Sequence, residues 1–283
     1  MYPGKDQTET NADTPAEPDY RAILGSLKKI ATCYRTDTEI AFILFSIAQV
    51  LFCLKRHTNA LTAIKKAAEL DPDNAPYWIF AGDILMAEPF CRYTESLDAY
   101  EKAAHLQPGN PAILIRIGNV HEICQDPEEA IRAYDSALAI APDDPVIWSR
   151  KGCALNTLFY RRRRKQQLRN LSQNISEEIA LLNTVLSSFQ RALELEPRNP
   201  DTLYLIAQTL AHMERYDEAL KYYDTALENL RSENSPPLQI WYSKAEVLEK
   251  VGRNSEAGDL FERYHAELKK EYDNFMAVRA SRY

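Results

Sequence analysis

An internal repeat constrains the fold of this chain more than any other feature. Four segments share one pattern: a small or aliphatic residue, a bulky residue four positions later, a small residue three positions after that, and a proline five positions further on. The segments are ALTAIKKAAELDPDNAPYW, SLDAYEKAAHLQPGNPAIL, AIRAYDSALAIAPDDPVIW and VLSSFQRALELEPRNPDTL. Self-similarity of this kind predicts an array in which one small structural unit is stacked repeatedly.

Six units align when the columns of this pattern are extended along the chain. In the first helix of each unit, one aligned position holds a bulky residue, and the position four residues later holds a small one. The bulky residues are Leu44, Trp78, Leu114, Trp148, Leu203 and Trp241, and the small residues are Ala48, Gly82, Gly118, Gly152, Ala207 and Ala245. The second helix carries a bulky column of Ile64, Tyr100, Tyr134, Phe189, Tyr223 and Phe261. Small residues let antiparallel helices approach closely, and bulky residues fill the space between neighbouring units.

The pattern resembles the tetratricopeptide repeat, a helix-turn-helix unit of about 34 residues. The resemblance runs from Ile40 to Lys269. It implies an all-α fold: a right-handed α-solenoid of about six such units, preceded by an N-terminal capping half-repeat. The composition agrees, because the chain has only 8 glycines and its long stretches are dominated by helix formers.

The predicted organisation has four parts. Residues 1–19 are an acidic, disordered tail, 20–38 the capping helix, 39–271 the array, and 272–283 a helical extension. The predicted units lie near 41–74, 75–110, 111–144, 145–199, 200–233 and 238–271. Because Pro142 and Pro197 are 55 residues apart, the fourth unit carries an insertion, which we interpret as a projecting helical hairpin over about 158–184.

The insertion contains five consecutive positive charges in a chain with a formal net charge of -7. They are Arg161, Arg162, Arg163, Arg164 and Lys165. On a helix these side chains spread around the circumference, which favours a solvated arm. The alternatives are a docking site for an acidic partner, for nucleic-acid phosphates or for the chain's own acidic tail, and a nuclear import signal. The net acidity of the chain argues against general nucleic-acid binding.

In the resembled family, the first helix of each unit lines a concave face that commonly binds peptides. By matching helix positions, the predicted partner-binding residues are Phe42, Phe45, Gln49, Ile79, Asp83, Arg116, Asn119, Arg150, Asn156, Tyr204 and Gln208, with Phe52, Met86, Cys153, His212, Tyr242 and Glu246 on the same faces. The alternative for the apolar residues is packing against neighbouring helices. Family members that clamp the acidic tails of heat-shock chaperones use Lys and Asn where this chain has Phe45 and Gln49, so that subfamily is disfavoured.

The sequence carries no recognisable catalytic constellation, cofactor motif or metal site. It has no phosphate-binding loop, dinucleotide fingerprint or nucleophile elbow. His121 and Cys124 could share a helix face, but two ligands are too few for a structural zinc site. We therefore predict a non-enzymatic interaction scaffold that needs no cofactor and binds a protein or peptide.

Cysteine usage and hydropathy predict a cytoplasmic protein. The five cysteines are odd in number and form no Cys-x-x-Cys pair, which is typical of a reducing compartment. No signal peptide is visible, and the apolar stretch Ile40–Leu54 is shorter than the ~18 residues that a membrane span needs.

The last helix is predicted to continue nearly to Tyr283 with an apolar stripe that needs cover. The stripe consists of Phe261, Tyr264, Leu268, Tyr272 and Phe275. We favour a monomer in which this segment folds back over the last unit, and the alternative is a dimer formed through the same helix.

Overall fold

The computed structural model of the chain describes residues 25–26, 29, 36–87, 89–168, 175–230 and 237–280. The predicted acidic tail and most of the predicted capping helix lie outside these residues, as do residues 169–174 of the predicted hairpin. Within the described ranges, the regular secondary structure is helical and contains no strand. The all-α prediction is confirmed.

The helices form antiparallel pairs that follow one another along the chain. They are α1 (Asp37–Cys53), α2 (His57–Leu70), α3 (Ala75–Met86), α4 (Tyr93–Leu106), α5 (Pro111–Ile123), α6 (Pro127–Ile140), α7 (Pro145–Leu168), α8 (Ile175–Leu195), α9 (Pro200–His212), α10 (Tyr216–Asn229), α11 (Leu238–Lys250) and α12 (Asn254–Ala280). Each odd-numbered helix is the first of its pair.

Asparagine N-caps mark the beginning of two of the first helices, α5 and α9. Asn110 precedes Pro111, and its side chain accepts a hydrogen bond from the amide of Ala112 at 3.1 Å. Asn199 precedes Pro200 and accepts from the amide of Thr202 at 3.0 Å. An Asx side chain at the N-cap pairs an otherwise unpaired amide, and proline at the first position has none to pair.

Four of the turns within helix pairs share one backbone conformation. The middle residue of each three-residue turn has a left-handed φ: 56° at Lys55, 58° at Gln125, 59° at Glu214 and 78° at Gly252. Only one of these residues is glycine, which pays no steric penalty there. In the pair α3–α4 the connection is longer and contains Pro89, and Cys91 has a φ of 46°.

The chain divides into two compact units, one ending at Leu106 and the other beginning at Gln107. In the first unit, α1 packs on α2, α2 on α3, and α3 on α4. Its core contains fully buried Ala48, Ile64 and Ile84. Over residues 36–87 and 89–106, the first unit therefore contains two consecutive helix pairs.

The second unit contains the pairs from α5 to α12, and each helix packs on the next. The small and bulky columns meet inside the pairs, as the repeat predicts. A Cβ added to Gly118 would lie 2.5 Å from Cε1 of Tyr134, whose side chain is fully buried. The absence of a side chain at Gly118 thus sets how closely α5 and α6 approach.

The insertion lengthens both helices of the fourth pair. α7 has 24 residues and α8 has 21, whereas α9 has 13 and α10 has 14. The basic block occupies the last two turns of α7, since that helix ends at Leu168.

The terminal segment does not fold back over the last helix pair, so that expectation is wrong. α12 is one uninterrupted helix of 27 residues, and every side chain from Leu268 to Ala277 is exposed. No glycine or proline follows Gly258, so nothing in the backbone favours a turn. The apolar stripe at Leu268, Tyr272 and Phe275 therefore faces solvent.

None of the helices in the described ranges has the length and apolar character needed to cross a lipid bilayer. α1, which contains most of the apolar stretch Ile40–Leu54, buries Ile43, Ile47 and Leu51 in the core of the first unit.

Candidate partner-binding surface

The first helices of the second unit carry a series of polar side chains that are held in place by hydrogen bonds. On α5, Asn119 and Glu122 are three residues apart and share a face. The hydroxyl of Tyr134, on α6, lies 2.8 Å from Asn119 Oδ1 and 2.7 Å from Glu122 Oε2, so its single proton is shared between two acceptors. The buried tyrosine of the second helix thereby fixes two side chains of the first.

The charge on Glu122 is balanced by a neighbour on the next first helix. Nη1 of Arg150, on α7, lies 3.9 Å from Glu122 Oε2. Burial raises the pKa of Glu122, while the Tyr134 hydrogen bond and Arg150 oppose this rise. Burial also raises the pKa of Tyr134 far above its usual range, and Glu122 adds to that effect. Tyr134 is therefore a protonated donor at any physiological pH.

One turn of α7 further on, the surface contains a thiol and an amide. Burial raises the pKa of Cys153 to about 11, with Glu122 adding to the rise and Arg150 opposing it. The side-chain oxygen of Asn156 is buried and has no hydrogen-bond partner among the described residues. A buried unpaired amide oxygen is costly, so a donor from a bound segment would stabilise it.

The inserted part of α7 contacts α9 through a tyrosine and a histidine. The Tyr160 hydroxyl lies 2.8 Å from His212 Nε2, and His212 Nδ1 lies 2.7 Å from the carbonyl of Gln208. Burial lowers the pKa of His212, Arg163 acts in the same direction, and Gln208 and Glu246 oppose them. A neutral ring fits both contacts: Nδ1 donates to the carbonyl, and Tyr160 donates to Nε2.

The next polar group joins α9 to α11. Nε2 of Gln208 donates to the hydroxyl of Tyr204 at 2.6 Å, and that hydroxyl lies 3.3 Å from Ser243 Oγ. Beside it is a cavity of about 250 Å³. Its lining residues are Gln208, Ala211, His212, Tyr216, Tyr223, Ser243, Glu246, Val247 and Lys250.

In the first unit, the predicted residues differ in their exposure. Phe42 is 62% exposed, and Gln49 is also exposed. Asp83 accepts a hydrogen bond from the hydroxyl of Tyr100 at 2.7 Å, the same arrangement as Asn119 with Tyr134. Ile79 is half-buried. Phe42 and Gln49 are therefore accessible to solvent, and Asp83 is oriented by a hydrogen bond.

Phe45 has mainly a packing role. Its ring centroid lies 5.2 Å from that of Tyr77 and 5.6 Å from that of Phe80. Phe52 also packs against Phe80, with centroids 5.7 Å apart. Both side chains therefore pack against a neighbouring helix, which is the alternative that the sequence left open for the apolar residues.

Some of the predicted residues contact one another in the structure, directly or through a shared neighbour. Asn119 and Arg150 are linked through Glu122, and Tyr204 and Gln208 contact each other directly. Arg116 reaches back to the carbonyl of Ala112 on its own helix, at 3.3 Å.

Sequence reasoning missed four residues of this surface: Glu122, Tyr160, Ser243 and Lys250. Tyr160 could have been found, because it lies one turn beyond Asn156 on the same helix face. Tyr242, which the sequence assigned to the surface, packs against Phe261 and Tyr264 with ring centroids 5.6 and 5.3 Å away.

The basic block divides into paired and unpaired side chains. Arg161 forms an ion pair with Glu128 and donates to the carbonyl of Gln125 at 3.3 Å. The guanidinium of Arg163 lies over the ring of Phe159, 5.9 Å from its centroid. The other cations, Arg162, Arg164 and Lys165, are exposed and form no ion pair within the described part of the chain. Three of the five charges are therefore exposed and have no ion-pair partner among the described residues.

Among the described residues, no three His, Cys, Asp or Glu side chains are arranged to hold a metal ion. His121 and Cys124 therefore belong to no such group among the described residues, and Cys124 is exposed.

Comparison with known families identifies the repeat. Tetratricopeptide repeat sequence profiles match residues 43–74, 92–151 and 198–270, which together make up more than half of the chain. The chain therefore belongs to the tetratricopeptide repeat family, and the resemblance noted in the sequence is confirmed. The family and fold indicate a protein-interaction scaffold. No curated protein sequence matches the chain.

Solved structures share the fold at low sequence identity. PilW, a widely conserved type IV pilus biogenesis factor, has 15% identity and a TM-score of 0.61, over 81% of this chain and 94% of PilW. PilF of Pseudomonas aeruginosa has 17% identity and a TM-score of 0.59, over 86% and 99%. YrrB, a tetratricopeptide protein with an unusual peptide-binding site, has 21% identity and a TM-score of 0.51, over 76% and 94%. These similarities establish the α-solenoid fold.

Proposed function

We propose that this chain is a non-enzymatic scaffold that binds an extended segment of a partner protein along α5, α7, α9 and α11. The observation that carries the proposal is a series of polar side chains on these helices. Asn119 and Gln208 are held by hydrogen bonds, Arg150 is paired with Glu122, and the buried oxygen of Asn156 has no partner among the described residues. Side chains that are already ordered lose little conformational entropy on binding. The peptide-binding site of YrrB supports the same use of the fold.

The chemistry of this surface suits the backbone of an extended peptide. The amide side chains of Asn119, Asn156 and Gln208 each offer both a donor and an acceptor, as a peptide group does. Arg150 adds donors, and part of its charge is already balanced by Glu122. Such a surface can bind a segment through its main chain with limited dependence on sequence.

On the first unit, the proposal assigns partner contacts to Phe42, Gln49 and Asp83. Phe42 is a large exposed apolar side chain, which gains free energy when a partner covers it. Asp83 is oriented by the hydroxyl of Tyr100, which donates to it at 2.7 Å.

The test is capture of partners from a native lysate, followed by mass spectrometry. We expect Arg150→Ala combined with Asn156→Ala to reduce recovery of the main partner at least tenfold. Lys221→Ala is the matched control, because Lys221 is exposed on α10 and forms no ion pair in the described ranges. Undiminished capture by the double variant, with an unchanged helical melting curve, would place the binding site elsewhere.

A second candidate function is docking of an acidic partner on the basic arm, supported by the three unpaired cations Arg162, Arg164 and Lys165. The test measures binding of a 20-nucleotide single-stranded DNA and of a polyglutamate peptide in 50 and 200 mM salt. Phosphate binding should weaken steeply with salt, and replacing all three cations by Ala should abolish it. Absence of binding to both probes would leave the arm as a solvated helix.

A cytoplasmic location is part of the proposal. Cys53, Cys91 and Cys124 are exposed free thiols, and Cys153 is a half-buried one. Exposed free thiols are typical of a reducing compartment. Fractionation of the native source cells, followed by detection of the chain with an antibody, tests this assignment.

A further inference from the structure

The cavity between α9, α10 and α11 is a defined pocket within the proposed binding surface. Its volume of about 250 Å³ equals that of about eight water molecules, which is enough for one long side chain. Tyr223 is only 1% exposed and forms the inner end, while Glu246 and Lys250 are exposed at the rim. Ala211 and Val247 supply apolar surface along the sides.

The three helices around the pocket are acidic. Together α9, α10 and α11 contain seven Asp or Glu residues and three Lys residues. One of those cations, Lys244, is already paired with Asp224. Glu246 forms no ion pair with any cation in the described part of the chain, although Lys250 is one turn away on the same helix. A carboxylate on an acidic surface without a cationic partner attracts a positively charged ligand.

The negative potential of Glu246 extends into the pocket. Burial and then Tyr204 raise the pKa of Tyr223, and Glu246 adds to that rise. Burial lowers the pKa of His212, so its ring is uncharged at neutral pH and does not repel a cation. Tyr216, a half-buried residue of the pocket lining, offers aromatic surface, which favours a cation over a neutral group of equal size.

We propose that this pocket binds a Lys or Arg side chain of the partner segment, with Glu246 as its counter-ion. The aliphatic part of that side chain contacts Ala211 and Val247, and its charged end lies between the carboxylate and the ring of Tyr216. Lys250 opposes this binding, and salt screens its charge and that of Glu246 alike, because both side chains are exposed. The proposal rests on the proposed function, because it assigns a chemistry to one segment of that surface.

The experiment uses the complete chain and blocked pentapeptides of the form acetyl-Gly-Gly-X-Gly-Gly-amide, with X as Arg, Lys, norleucine or Glu. Binding is followed by NMR shifts of the backbone amides of Gln208 and Ser243. We expect saturable shifts with Arg and Lys, at least fivefold weaker binding of norleucine, and no binding of Glu. Equal binding of norleucine, or preferential binding of Glu, would overturn the proposal.

Variants identify the counter-ion. Glu246→Gln should weaken binding of the Arg peptide at least fivefold, and Lys250→Ala should strengthen it about twofold, as expected for removal of an exposed like charge. Glu228→Gln is the matched control, because Glu228 is exposed on α10 outside the pocket lining. Undiminished binding of the Arg peptide by Glu246→Gln would overturn the proposal.

This result is separable from the test of the proposed function, because Arg150 and Asn156 do not line the pocket. If no basic peptide binds while Arg150→Ala with Asn156→Ala still loses the partner, the pocket proposal fails and the scaffold proposal stands. If the Arg peptide binds in a Glu246-dependent manner while partner capture is insensitive to Arg150 and Asn156, the pocket chemistry stands and the extended surface fails.

Discussion

Gly118 illustrates how one residue sets the distance between two helices. A Cβ at this position would lie 2.5 Å from Tyr134, whose hydroxyl is tied to Asn119 and Glu122. The ring cannot move away without breaking those bonds, so we expect Gly118→Ala to lower the free energy of unfolding by about 1–3 kcal/mol. Thermal unfolding followed by circular dichroism measures the change.

Gly258 provides the control for this prediction. It also lies within a helix, yet a Cβ there would meet no atom within 4 Å. Gly258→Ala should therefore stabilise the chain by about 0.5–1 kcal/mol through helix propensity alone. If both variants change stability equally, close packing at Gly118 is not the cause.

Cys153 should be much less reactive than the exposed cysteines. Its pKa is raised to about 11, so at pH 8 only about 0.1% of it is thiolate, the form that reacts. We expect iodoacetamide at pH 8 to modify Cys53, Cys91 and Cys124 at least tenfold faster, as read by mass spectrometry of peptides. The rate at Cys153 should rise as the pH approaches 11. Equal rates at pH 8 would contradict the burial of this thiol.

At the scale of elements, the inserted part of α7 is anchored on one side by Arg161. This side chain bonds both Glu128 and the carbonyl of Gln125, although the ion pair is partly exposed. Exposed pairs contribute at most about 1 kcal/mol. We therefore expect Arg161→Ala to increase amide hydrogen exchange across residues 161–168 by up to about fivefold. Because 1 M NaCl screens the ion pair, it should produce much of the same increase in the unsubstituted chain.

Arg162→Ala serves as the neighbouring control, since Arg162 has no partner in the described part of the chain. Its exchange rates should match those of the unsubstituted chain. Equal acceleration by both variants would mean that helix propensity or net charge controls the stability of the arm, and that the contact with α6 does not.

For the molecule as a whole, the terminal part of α12 should be dispensable for stability. Every side chain from Leu268 to Ala277 is exposed, so truncation after Leu268 removes no packed surface from the last pair. We expect the melting temperature to change by less than about 2 °C. This is no more than the shift caused by a change of roughly 1 kcal/mol in the free energy of unfolding of a chain of this size. A fall of several degrees would show that the segment covers the last pair after all.

The same truncation tests self-association. Tyr272 and Phe275 are each 62% exposed, and contiguous apolar side chains of this kind favour association. We predict that the light-scattering mass of the complete chain rises with concentration while that of the truncated chain stays constant. A constant one-chain mass for the complete chain would show that this stripe does not pair.

The repeat family, the all-α fold and the residues that meet inside a pair, such as Gly118 and Tyr134, could be predicted from the pattern of residues along the chain. These features depend on local helix periodicity and on columns repeated along the chain, so many weak signals support one another. The sequence also predicts a candidate surface, because position on a first helix determines which face a side chain occupies.

Contacts between side chains of different helix pairs are visible only in the tertiary structure. Tyr160 and His212 are 52 residues apart and meet only because the insertion prolongs α7 beside α9. Phe45 is half-buried because Tyr77 and Phe80 lie against it, and Arg161 is paired with Glu128 on another helix. Such contacts depend on where separate helices end and how they are oriented, which the sum of packing interactions sets and local periodicity does not encode.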